Sequence, residues 1–129
     1  MIKFNKITDI NKLPEKNPLG FDVFSSEDVT INPGETKTIK LGFSIESKMD
    51  KTLGYYFGLY LRESLGRRGL ILVNGVGVLS LSQPEREVTI SLFNPLNDPC
   101  SYENRIVKIK QSENIAQIIL HRALRINLV

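Results

Sequence analysis

Val29-Thr30-Ile31-Asn32-Pro33-Gly34-Glu35-Thr36-Lys37-Thr38-Ile39-Lys40-Leu41-Gly42-Phe43-Ser44-Ile45 writes out a strand, a tight turn and a longer strand. Apolar and polar residues alternate on both sides of the turn, the period of a half-buried β-strand. Proline fixes the first central position of a turn and glycine accepts the positive φ of the second, so Pro33-Gly34 predicts a type II turn. The same pattern recurs at residues 55–61, 69–73, 87–93, 105–109 and 115–120, each run short and bounded by Gly, Pro, Asn, Asp or Ser. The nearest helical candidate, Arg62-Glu63-Ser64-Leu65, is too short to organise a fold. An all-β barrel or jelly-roll sandwich is expected.

At 129 residues and 41% hydrophobic, the chain supports one ordinary core, and residues 1–129 are read as a single domain. Asn94-Pro95-Leu96-Asn97-Asp98-Pro99 breaks the strand pattern as a connection within that domain, and residues 5–17 read as an extended lead-in. No uncharged apolar run approaches bilayer-spanning length, so an intracellular soluble protein of cytoplasm or nucleus, without a membrane partner, is expected. A single cysteine, Cys100, excludes an intrachain disulfide and a cysteine zinc site within one chain. The net charge of +3 is small, and no aromatic stripe is interleaved with the basic residues, so nucleic acid is not an expected partner.

The residues that can carry chemistry are few. His121 is alone and builds no multi-histidine metal site, and Ser64 has no neighbouring base to activate it. Gly66-Arg67-Arg68-Gly69, with Arg62 before it, offers amides and cations to a phosphate, while Glu63 opposes an anion unless an arginine pairs with it. Asp22, between apolar neighbours after Gly20, can hold a loop or help orient a hydrated magnesium ion. Residues 74–94 have the look of an active-site hairpin without its carboxylate: no Asp occurs between Asp50 and Asp98.

The order of these motifs resembles the trimeric dUTPase family. Gly20-Phe21-Asp22-Val23-Phe24-Ser25 is similar to its first motif, and Leu61-Arg62-Glu63 stands where the second usually has Pro-Arg-Ser. Ser112-Glu113-Asn114-Ile115-Ala116-Gln117 is similar to the fourth, usually Gly-Asp-Arg-Ile-Ala-Gln. The resemblance implies a β-clip or jelly-roll subunit, a homotrimer with active sites at subunit boundaries, and a magnesium-bound triphosphate cleaved to dUMP and pyrophosphate. It implies phosphate or nucleotide binding by Arg62, Ser64 and Gln117, and metal or loop positioning by Asp22.

Two departures set the functional expectation. Where the third motif supplies a water-orienting Asp, this chain has Leu79 or Leu81, depending on the direction of alignment, and Pro84 falls at the family's Tyr. No counterpart of the glycine-rich fifth motif follows Ile119. The expectation is therefore a noncatalytic, viral dUTPase-like scaffold or regulator, a pseudoenzyme with weak dUTP binding and no required cofactor. It would act on a host or viral protein, with Leu128 and Val129 as the partner-binding tail. The alternatives are an active dUTP pyrophosphatase using Mg2+ and a displaced carboxylate, with Glu85 as the catalytic candidate, and a virion structural or nucleic-acid-associated protein.

Overall fold

The structure, a computed structural model, describes residues 1–8, 12–95, 105–124 and 126. Cys100, Leu128 and Val129 lie outside the described residues. Twelve short strands carry the described chain: β1 (Ile2–Lys6), β2 (Glu15–Lys16), β3 (Phe21–Phe24), β4 (Val29–Ile31), β5 (Thr36–Lys40), β6 (Phe43–Ser47), β7 (Tyr55–Leu61), β8 (Ile71–Leu72), β9 (Gly77–Leu79), β10 (Thr89–Phe93), β11 (Val107–Ile109) and β12 (Asn114–Arg122). One α-helical turn, α1 (Glu63–Arg67), and a 3-10 turn at Lys51–Leu53 interrupt them. The mostly β expectation holds, and no helix among the described residues is long and apolar enough to cross a membrane.

Pro33-Gly34 forms the expected turn: Gly34 has φ +85°, and the Glu35 amide donates to the Asn32 carbonyl at 3.0 Å. The run read as one strand over residues 36–45 breaks at Leu41-Gly42. β5 pairs with β10 and β6 leaves to pair with β1, so one alternating pattern feeds two sheets. β1, β2, β3 and β9 have no counterpart in the sequence pattern.

Four ladders surround one core: β1-β6, β5-β10-β8, β11-β4 and β2-β3-β12-β7-β9. Ile39 lies opposite Ile90 across β5 and β10, both buried. Phe4 meets Phe21 and Phe43 edge to face, with ring centroids 5.0 and 5.6 Å apart, the geometry that the aromatic quadrupole favours. Leu65, 1% exposed, pins α1 to this core. The register of the five-stranded sheet then positions the polar side chains. Gln117 on β12 faces Asp22 on β3 and Tyr60 on β7, while its neighbours Ala116 and Ile118 are buried.

Asn94 ties the ladders together from a buried position, 2% exposed. Its side-chain amide donates to the carbonyls of Ile31 and Arg105 at 2.9 and 2.6 Å, and its own carbonyl accepts from the Gly34 amide. A residue that reads as a strand breaker thus satisfies backbone groups at Ile31, Gly34 and Arg105.

Candidate functional site

Asp22, Arg62, Ser64 and Gln117 line one depression of about 370 Å³, together with Glu63, Arg67, Asn114 and Ala116. β3 and β12 bring Asp22 and Gln117 side by side, and the end of β7 delivers Arg62. Close approach of β3 to β12 requires glycine at position 20, because a Cβ there would stand 2.1 Å from the Ile118 carbonyl oxygen. Arg62 Nη1 donates to the Asn114 carbonyl at 3.2 Å, and the Arg62 amide donates to the Ile115 carbonyl at 2.9 Å, so the guanidinium is steered along β12. Arg67 donates to Glu63 at 2.6 Å on an exposed surface. That pairing answers the repulsion Glu63 would exert on an anion.

Asn17, which the sequence did not single out, orders this depression. Its Nδ2 donates to Asp22 Oδ1 at 2.8 Å and lies 3.4 Å from Gln117 Oε1, while its Oδ1 accepts from the amides of Leu19 and Gly20. The side-chain oxygen of Asn114 is buried without a hydrogen-bond partner in the same wall. Ser112, at the position where the resembled motif has glycine, keeps a left-handed backbone, φ +67°. The turn is held by the Glu113 amide donating to the Lys110 carbonyl at 3.0 Å and by the Ser112 amide donating to the Ser25 carbonyl at 2.7 Å.

A second opening lies between β9 and β10. These strands follow one another in sequence but do not pair: β9 pairs with β7, and β10 pairs with β5 and β8. One end of the cleft, about 130 Å³, is lined by Asn74, Gly77, Ile90 and Ser91. The other, about 480 Å³, is lined by Tyr56, Ser80, Gln83, Arg86 and Glu87. Val78, Leu79 and Thr89 border both.

Leu79 and Leu81 are half-buried and pack against the core, so the two leucines act as anchors of the hairpin. Ser44 Oγ donates to the Pro84 carbonyl at 2.7 Å, and the Gln83 and Val88 amides donate to β6 carbonyls at 2.8 and 2.9 Å. Glu85 sits exposed in the turn after Pro84 and is not among the residues lining the cleft. Glu87 is half-buried, and its Oε2 accepts from the Gly42 amide at 2.9 Å. His121 Nε2 lies 2.6 Å from Tyr60 Oη, and its ring lies 5.4 Å from that of Tyr56. Among the described residues no group of three or more His, Cys, Asp or Glu is placed to hold a metal ion.

A β subunit with a guanidinium-bearing depression and a splayed hairpin is what known proteins match. The dUTPase family profile matches residues 6–129, and the chain belongs to the dUTPase family. A deoxyuridine 5'-triphosphate nucleotidohydrolase of Nautilia profundicola is 31% identical over 119 residues, covering 92% of this chain and 75% of the relative. A mutant dUTPase of Staphylococcus bacteriophage 80alpha, solved with dUpNHpp, superposes with a TM-score of 0.84 at 19% identity, covering all of this chain and 86% of that one. A mutant dUTPase of phage phi11 of S. aureus, whose structure is described as revealing coordination of a structural Mg(II) ion, gives a TM-score of 0.81 at 18% identity, covering 100% of this chain and 95% of that one. At these identities the phage structures bear on the fold alone.

These relationships overturn the expectation of a noncatalytic scaffold and the leaning away from an enzyme. A relative covering most of the chain is a nucleotidohydrolase, and the residues matched by the family, 6–129, include the Leu79–Leu81 hairpin. A leucine at one aligned position does not remove the carboxylates that stand a few residues further along.

Proposed function

We propose that the protein is a dUTP pyrophosphatase, hydrolysing dUTP to dUMP and pyrophosphate. The observation that carries this is the convergence of Asp22, Arg62, Ser64 and Gln117 on one depression, in a chain of the dUTPase family. Arg62 supplies a planar, always charged donor suited to phosphate oxygens, with Gln117 and Ser64 as neutral donors beside it.

Asp22 and Glu63 together cancel the charge of Arg62 and Arg67, so a triphosphate entering this depression brings more negative charge than the protein neutralises. A divalent cation fits that balance. Mg2+ is bound through one or two carboxylates plus substrate phosphates, and Asp22 is the carboxylate here, with the unpartnered Asn114 oxygen an acceptor for a water on the ion. When bound, Mg2+ would neutralise charge on the phosphates. Asp22 would hold the ion from the protein side, and Asn17 fixes the direction Asp22 faces.

The cleft between β9 and β10 takes the nucleoside, because β9 has no ladder partner on its β10 side and Asn74 adds an amide for the edge of a uracil base. From Tyr56 at the cleft to Arg62 at the depression β7 runs six residues, about 20 Å. A nucleotide held by its base in one subunit's cleft is met by the phosphate depression of another, and a homotrimer is the assembly proposed.

The test is pyrophosphate release from dUTP with magnesium, wild type beside Arg62→Ala, at a protein concentration where the assembly mass is measured. Turnover that falls by about 100-fold or more in the variant is expected. A folded trimer that binds dUTP and releases no pyrophosphate overturns the proposal.

A further inference from the structure

The geometry points to Glu87 as the carboxylate that orients and deprotonates the attacking water, an assignment that rests on the hydrolase proposed above. The cleft between β9 and β10 is asymmetric. Its narrow end offers Asn74 and the backbone of Gly77, Ile90 and Ser91, suited to a base. Its wide end carries the charged groups, Arg86 and Glu87, with Ser80 and Gln83 beside them. A nucleotide entering base first leaves its sugar and α-phosphate at the wide end, next to Glu87, the one carboxylate lining the cleft among the described residues.

Glu87 is also held as a water-orienting group must be. Its Oε2 is fixed by the Gly42 amide at 2.9 Å, and that hydrogen bond fixes the carboxylate plane. Oε1 has no protein partner among the described residues and is left for a water. The flanking amide of Val88 donates to the Phe43 carbonyl and the Val88 carbonyl accepts from the Leu41 amide, so the backbone beside Glu87 is tied by two bonds to the segment that also carries Gly42. Glu85, two residues earlier, has none of these restraints: it is exposed at the tip of the turn.

In the step assigned to it, Glu87 Oε1 accepts a proton from the water as the water oxygen bonds to the α-phosphorus. The bond from that phosphorus to the α,β-bridging oxygen breaks, and its electron pair leaves on pyrophosphate. The exposed Arg86 guanidinium faces the charge that builds on the α-phosphate oxygens. The leucines at positions 79 and 81 then cost the enzyme no base, because the base has moved along the hairpin to a site with its own anchor.

The deciding experiment measures kcat by pyrophosphate release and, separately, the Kd for a non-hydrolysable imido analogue of dUTP, in wild type and Glu87→Gln. The glutamine keeps an oxygen for the Gly42 amide and removes the proton acceptor. A kcat lower by about 100-fold or more, with Kd within about threefold of wild type, is expected. Turnover by wild type that survives Glu87→Gln overturns the assignment alone, as does a loss that appears in Glu85→Gln instead. A wild type that binds the analogue without any turnover overturns the hydrolase proposal and this assignment with it. Glu87→Asp keeps the charge but cannot reach both Gly42 and the water, so about a tenfold lower kcat is expected. An unchanged kcat in that variant overturns the assignment even where the glutamine variant proves unstable.

Discussion

The depression around Arg62 and the β9–β10 cleft are built in opposite ways. The depression stands on ladder interiors: β12 is paired on both sides, to β3 and to β7, and its register sets Asp22, Gln117 and Tyr60 in one row. The cleft exists because two consecutive strands do not pair, and side-chain and backbone bonds to β6 hold the hairpin in their place. A pocket written in register survives many substitutions that keep the alternation. A pocket written in splayed strands depends on a few anchors, and its chemistry can shift along the hairpin if the anchors stay.

Two perturbations separate the two regions, and a third probes the frame outside both. Ser44 is fully buried, and Ser44→Ala removes the donor to the carbonyl of the exposed Pro84, a loss of about 1.5 kcal/mol measurable by chemical denaturation. Faster amide exchange is expected at Gln83 and Val88, with exchange at Gln117 unchanged. Equal loosening of β12 would show that the hairpin and the depression are one cooperative unit.

Asn17→Ala acts on the other region. Removing its bond to Asp22 is expected to cost about 1 kcal/mol of nucleotide binding, read as a several-fold higher KM with little change in kcat. A fall in kcat without a change in KM would mean that Asn17 serves the cleft.

The smallest effect belongs to neither pocket. The Asn32 amide bonded to Glu35 Oε1, and more weakly Lys37 nearby, hold the Glu35 carboxyl below its usual value. A lowered folded-state value contributes stability above the ordinary carboxylate range, and that contribution is lost as pH falls through the lowered value. Melting temperature against pH should therefore fall more steeply into acid for wild type than for Glu35→Gln, and only slightly, because the group is partly open to solvent. Parallel curves would remove the contribution.

The strands with clean alternation were legible. β4 and β7 lie where the pattern puts them, and Pro33-Gly34 makes its turn, because local steric rules and a half-buried surface act over a few residues. β3 was harder: Phe21, Val23 and Phe24 are apolar beside a single acid, which reads as a loop motif until β12 supplies a partner. β9 is three residues long, and β1 lies in a stretch whose partner, β6, is some forty residues away. Asn94 carried only a turn signal, since the carbonyls it satisfies belong to distant segments. Asp22, Arg62, Ser64 and Gln117 were legible as a set through family motifs. Asn17 was not, because its role depends on two side chains that meet only after folding.

By itself the sequence determined the β class, the family and the leucines at positions 79 and 81, all of which are set by residue type, local period and motif order. Only the tertiary structure decided what those leucines do, which polar groups share a pocket, and that Glu87 lines the cleft with one oxygen fixed while Glu85 stands outside it. The physical reason is that burial and hydrogen-bond partners come from segments that meet only on folding: Glu85 stands in the turn after Pro84, while Glu87 lies beside Gly42, forty-five residues away in the chain.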